Sequence, residues 1–120
     1  MQHGGAKHHR ERMEEAMREE IGAIVEGELA DPRIGLASVS SVQLAPDGRS
    51  AHVNIVVEGS ETEAARSLEG LNAARPYIRR ELTARLHLRQ APELFFTLDR
   101  SCEYDARIEE LLGRIKKQNR

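Results

Sequence analysis

Apolar residues recur along the chain first at helical spacing, then in alternation, then at helical spacing again. Met13, Met17, Ile21, Ile24, Val25 and Leu29 fall three and four apart, which predicts an amphipathic helix over 10–29. Pro32 keeps Asp31 out of helical geometry, and Gly35 lets the chain turn. In 36–44, Ala37 and Val39 share one alternating phase while Val42 and Leu44 share the other. A strand keeps both pairs on one face only with an extra residue near Ser40-Ser41, that is, a β-bulge. Ala45-Pro46-Asp47-Gly48 has turn chemistry, because proline presets φ and Asp-Gly tolerates positive φ. Residues 50–58 alternate cleanly: Ala51, Val53, Ile55 and Val57 face one way, His52, Asn54 and Glu58 the other. The two strands are expected to pair as an antiparallel hairpin.

Helical spacing returns over 61–86 with Ala64, Leu68, Leu71, Ile78, Leu82 and Leu86. Pro76 interrupts it by removing a donor and crowding the carbonyl of Asn72, so the segment reads as two helices or one sharp kink. A third strand over 93–98 turns Leu94, Phe96 and Leu98 inward and Glu93, Phe95 and Thr97 outward. A last helix is expected over 102–115, with Tyr104, Ile108, Leu111, Leu112 and Ile115 on one face and Ser101 as N-cap. The order is α-β-β-α-kink-α-β-α, an α+β fold with a three-stranded sheet covered by helices. Residues 1–9 show no periodicity and read as a flexible N-terminal tail; 10–115 form the domain; 116–120 read as a basic C-terminal tail.

At 120 residues the chain is one domain's worth, large enough to bury a core without metals or cross-links. Cys102 is the single cysteine, so no internal disulfide forms, and it reads as a small apolar residue. No apolar run approaches the ~18 residues that span a bilayer, and Met1-Gln2-His3-Gly4-Gly5 lacks the apolar stretch of a signal peptide. A soluble cytoplasmic protein without a membrane partner is expected. No glycine-rich phosphate loop, nucleophile elbow or Cys/His zinc spacing occurs. His3, His8 and His9 sit in the tail, which offers a metal no fixed geometry. No catalytic residues, metal, cofactor or small-molecule substrate are expected.

Net charge is −2, but its distribution is uneven. Between residues 75 and 89, Arg75, Arg79, Arg80, Arg85 and Arg89 face a single acid, Glu81, while the first predicted helix is rich in glutamate. Arginine outnumbers lysine fifteen to three, and its planar fork suits phosphate. The helix segment after Pro76 adds the positive end of its dipole and free N–H groups. Nucleic acid is therefore the partner class this stretch favours, set against an ordinary solvated face.

Several segments in order resemble the ribosome-binding factor A family over roughly residues 10–115. They are Glu28-Leu29-Ala30-Asp31-Pro32-Arg33-Ile34-Gly35, Val42-Gln43-Leu44-Ala45-Pro46-Asp47, and Leu71-Asn72 followed by Tyr77-Ile78-Arg79-Arg80-Glu81-Leu82. Pro92-Glu93-Leu94-Phe95-Phe96 with Leu98-Asp99 also matches, and Ala106-Arg107-Ile108 matches loosely. The resemblance implies a type II KH topology in which an A-x-G helix kink replaces the usual G-x-x-G loop. Here Ala74-Arg75-Pro76 takes that place, with proline for glycine. The sequence gives no sign of oligomerisation, so a monomer is expected. The resemblance further implies binding to the free small (30S) ribosomal subunit. There the family assists late maturation of 16S rRNA, including 5′-end processing, and matters most in the cold. Two alternatives are a generic KH-like RNA-binding module outside ribosome assembly and a protein-interaction domain using the acidic first helix.

The residues expected to meet RNA are Arg79 and Arg80 first, then Arg75, Arg85, Arg89 and Arg33. Lys116, Lys117 and Arg120 add non-specific attraction at most. Phe95, outward on its strand, either stacks on a base or packs under the last helix.

Overall fold

The computed structural model describes residues 2–99, with side chains from His8 onward. The expected last helix at 102–115, its Ser101 cap, Cys102 and the 116–120 tail lie outside the described residues. The elements are α1 (Gln2–Gly27), β1 (Ala37–Leu44), β2 (Ser50–Val57), α2 (Glu61–Ala73), α3 (Arg75–Leu86) and β3 (Glu93–Leu98).

Helix α1 differs from expectation at both ends. It starts at Gln2 rather than 10, so the helix includes the stretch that shows no periodicity. Once the buried stripe downstream fixes the helix, each added residue costs only propagation, not nucleation. It ends at Gly27 rather than 29, after which Asp31-Pro32-Arg33-Ile34 closes a tight turn through Ile34 N–H to the Asp31 carbonyl, 3.1 Å.

The sheet order is β1-β2-β3, with β1 antiparallel and β3 parallel to the central β2. The bulge falls where the phase change places it. Val39 pairs with Ile55 and Ser41 with Asn54, leaving Ser40 as the extra residue. The turn forms as its residues dictate: Gly48 N–H donates to Ala45 O, 2.9 Å, and Gly48 takes φ +73°. One sheet face is dry. Ala51, Val53, Ile55 and Leu94 are fully buried there against Ile21, Ile24, Leu71, Ile78 and Leu82 from the helices.

Helix α2 begins at the N-cap Ser60, whose hydroxyl accepts from Glu63 N–H, and Glu61 and Glu63 favour the positive end of the helix dipole. The proline break is real. Ala74 ends α2 and opens α3 with αR dihedrals (φ −84°, ψ −2°), and Pro76 takes the second position of α3. In that first turn an N–H has no intrahelical acceptor, so proline's missing donor costs nothing. Ser67, wholly buried on α2, ties that helix to the turn after α1. Its hydroxyl accepts from Gly35 N–H (3.0 Å) and donates to the Arg33 carbonyl (3.4 Å).

Candidate nucleic-acid interface

The arginines expected to form one RNA-facing group are divided by the structure into anchored and free. Arg85 is anchored. Its guanidinium lies 2.5 Å from Glu28, 3.2 Å from Glu81 and 3.6 Å from Glu20, so it pins α3 to the acidic side of α1. Bonding to Glu28 holds the Arg85 pKa well above its ordinary value, and the same bond holds the Glu28 carboxyl low. Tyr77 donates its hydroxyl to Glu28 as well, 3.3 Å.

Arg33 is also anchored, within its own turn. Its Nη2 lies 2.6 Å from Asp31 Oδ2, and its backbone N–H donates to Asp31 Oδ1 at 2.9 Å. The side-chain bond from Arg33, then the backbone bond, lower the Asp31 carboxyl from an ordinary 3.8 to about 2. A depressed folded-state pKa contributes stability that is present above the ordinary value and lost as pH falls through the folded one. Melting temperature is thus expected to fall between about pH 4 and about pH 2 in part through Asp31. The variant Asp31→Asn should show a flatter acid limb in a melt-versus-pH series; an unchanged limb would remove this turn from the acid response.

Arg79 donates through Nε to the Pro92 carbonyl (3.1 Å) and through Nη2 to the Ala91 carbonyl (3.0 Å). Its role is first to fasten the segment before β3 to α3. Arg75 donates to Asn72 Oδ1 across the break, while its buried Nε has no acceptor among the described residues. Arg80 and Arg89 are exposed and make no ion pair among the described residues. Ile78 and Leu82 define the inward side of α3, which places Arg80 on its outer side. Of the arginines between 75 and 89, Arg85 alone is neutralised by glutamates among the described residues, Arg75 and Arg79 bond uncharged oxygens and keep their charge, and Arg80 and Arg89 are the most exposed.

Sequence reasoning missed Arg49. It is exposed, unpaired among the described residues, and isolated in sequence just after the turn. Folding brings it beside Arg79: Glu93 N–H donates to Arg49 O (2.9 Å), and both arginines line one polar cleft of about 620 Å³ with Gly48, Gln90 and Glu93. No local pattern signals this, because it depends on β3 lying next to β2.

The outer sheet face is open among the described residues. Phe95 is 40% exposed and stacks on His52, ring centroids 5.5 Å apart. A last helix over Phe95 would involve residues outside the described part. Among the described residues, no three or more His, Cys, Asp or Glu gather as a metal site, and no helix is long and apolar enough to cross a membrane.

Two consecutive helices joined at Ala74, a long first helix and a three-stranded mixed sheet define a KH-like α+β domain. A crystal structure of ribosome-binding factor A from Thermus thermophilus superposes with a TM-score of 0.67 at 25% identity, over 77% of this chain and 98% of that one. A Thermus thermophilus ribosome binding factor A model, fitted into a cryo-EM map of a 30S complex, gives 0.63 at 27% identity over 74% and 93%. The family model for ribosome-binding factor A matches residues 9–112. Ribosome-binding factor A of Koribacter versatilis is 58% identical over 120 residues, 100% of this chain and 98% of the relative. The chain belongs to the ribosome-binding factor A family.

Proposed function

We propose that this chain binds the free small (30S) ribosomal subunit in the cytoplasm as a monomeric, non-enzymatic assembly factor for 16S rRNA. The observation that carries this reading is family membership together with a structural neighbour that was fitted into a map of a 30S complex. The finer role is assistance in late maturation, including 5′-end processing, with the greatest demand in the cold. The physics of such a role is linkage. A protein without chemistry favours one rRNA conformation only by binding it better than the alternatives. Arg80 and Arg89 are the exposed residues of the expected group whose guanidinium groups have no ion-pair partner among the described residues. Arg79 and Arg75 serve partly through the helices they hold in place, and Arg85 and Arg33 act as internal anchors.

The test is sedimentation of tagged protein with purified free small subunits at two salt concentrations. Wild type is expected to co-sediment and to be released as salt rises. The double variant Arg80→Ala/Arg89→Ala should bind about tenfold more weakly, with a log–log salt slope shallower by about one to two. Failure of the wild type to associate would overturn the reading. Association with an unaltered slope in the double variant would move the RNA face elsewhere.

A further inference from the structure

We infer that the end of the sheet at the β1–β2 turn holds a single-stranded RNA nucleotide, with its base in a largely apolar pocket and its phosphates in the adjoining arginine cleft. This rests on the RNA-binding reading above and names the part of the surface that reads RNA.

Two cavities meet at this end. One, of about 570 Å³, is lined on its apolar side by Met13 and Met17 of α1, Leu44 and Pro46 at the β-turn, and Leu88 and Pro92 beyond α3. The other is the polar cleft of Arg49 and Arg79. Gly48 and Gln90 line both, so they form the ridge between the two. The pocket lies in the range of about 300–1,000 Å³ that suits compact ligands, with an apolar side and a polar side formed by His9, Arg10, Asp47 and Gln90. A nucleobase has that character: a polarizable face for methionine and proline surfaces, and a polar edge for the amide of Gln90.

Charge argues for the same occupant. Arg10 lines the apolar pocket, and Arg49 and Arg79 line the cleft. Arg49 has no ion-pair partner among the described residues, and Arg79 uses Nε and Nη2 on carbonyls but leaves Nη1 free among them. Arg89 is exposed next to Gln90. Three acids are nearby, one of them Glu14, whose carboxylate accepts from Leu44 N–H at 2.7 Å. Asp47 lines the pocket and its side chain accepts from Arg49 N–H at 3.0 Å, and Glu93 lines the cleft with no arginine in ion-pair distance among the described residues. The local balance remains positive, as a phosphodiester requires.

The experiment compares wild type with Arg49→Glu and Gln90→Glu, using Arg66→Glu on the exposed side of α2 as a control whose charge change equals that of Arg49→Glu and exceeds that of Gln90→Glu. All three positions are exposed, and equal melting temperatures would establish that the variants fold. Two probes are used: purified free small subunits by sedimentation, and a mixed-sequence single-stranded RNA hexamer followed through the 13C-labelled methyl signals of Met13 and Met17. Arg49→Glu and Gln90→Glu are each expected to weaken subunit association about tenfold, whereas Arg66→Glu changes it about twofold or less. The hexamer should shift both methionine methyls saturably in wild type and not in Arg49→Glu. If Arg49→Glu and Gln90→Glu behave like Arg66→Glu, the proposal is overturned. Hexamer binding with still methionine methyls would overturn the base pocket. If wild type ignores small subunits yet the hexamer moves the methyls, the nucleotide site stands and the subunit reading falls.

Discussion

Replacing Leu82 with Ala is expected to lower the free energy of unfolding by about 3 kcal/mol, within the about 2–5 kcal/mol typical of buried Leu→Ala changes. Leu82 is fully buried, and with Ile78 it forms the buried face of α3. A helix of twelve residues is marginal alone in water, so packing has to hold it. The cavity would open where α3 meets α1 and the sheet, because Leu82 belongs to the same core as Ile21, Ile24 and Leu94. Small domains have only about 5–15 kcal/mol in all, so the loss is a large fraction of the total. Urea titration checks it, with Leu82→Met as the volume-conserving comparison expected to cost less than about 1.5 kcal/mol. A loss below about 1 kcal/mol for the alanine variant would mean that α3 packs only peripherally. The polar anchors of α3, Arg79 on the Ala91 and Pro92 carbonyls and Arg85 on Glu28, would then be its main attachment.

The second large effect concerns a glycine whose importance lies in space, not in φ. Gly70 is buried near the end of α2, and a Cβ there would stand 2.6 Å from Ile34 Cγ1 and 3.4 Å from Asp31 Cγ. Two terms oppose each other in Gly70→Ala. Helix propensity favours alanine by about 1 kcal/mol. Overpacking against a branched side chain typically costs about 1–3 kcal/mol, and Ile34 is held by a turn that Ser67 fastens to α2, so it has little freedom to retreat. The clash is expected to win, for a net loss of about 1–2 kcal/mol. Gly22 provides the contrast. It lies inside α1 with nothing within 4 Å of the added carbon, so Gly22→Ala should stabilise by about 0.5–1 kcal/mol. Thermal melts of the two variants should move in opposite directions. Stabilisation by Gly70→Ala would mean that the turn after α1 yields easily to α2.

Local chemistry made much of this fold readable. The bulge at Ser40 followed from a change of apolar phase, because a strand has a period of two and a core on one side cannot tolerate a slip. The turn at 45–48 followed from proline and glycine, and the break at Ala74 from a proline that cannot continue a helix. The start of α1 was not readable, since propagation from a packed segment leaves no periodic mark in 2–9.

The functional surface divided differently. Sequence showed that arginines concentrate between 75 and 89, and the resemblance of its segments pointed to the family that the comparisons establish. It did not show that Glu20, Glu28 and Glu81 converge on Arg85, that Asp31 takes up Arg33, or that Arg79 serves two backbone carbonyls. Nor did it show that Arg49 stands beside Arg79. What the sequence by itself determined was the succession of elements, their buried faces and the presence of excess positive charge, because these depend on neighbours within a few residues. Only the tertiary structure decided which of those charges reach solvent, because a guanidinium's partner can lie 57 residues away, as between Glu28 and Arg85, and is set by how the helices pack.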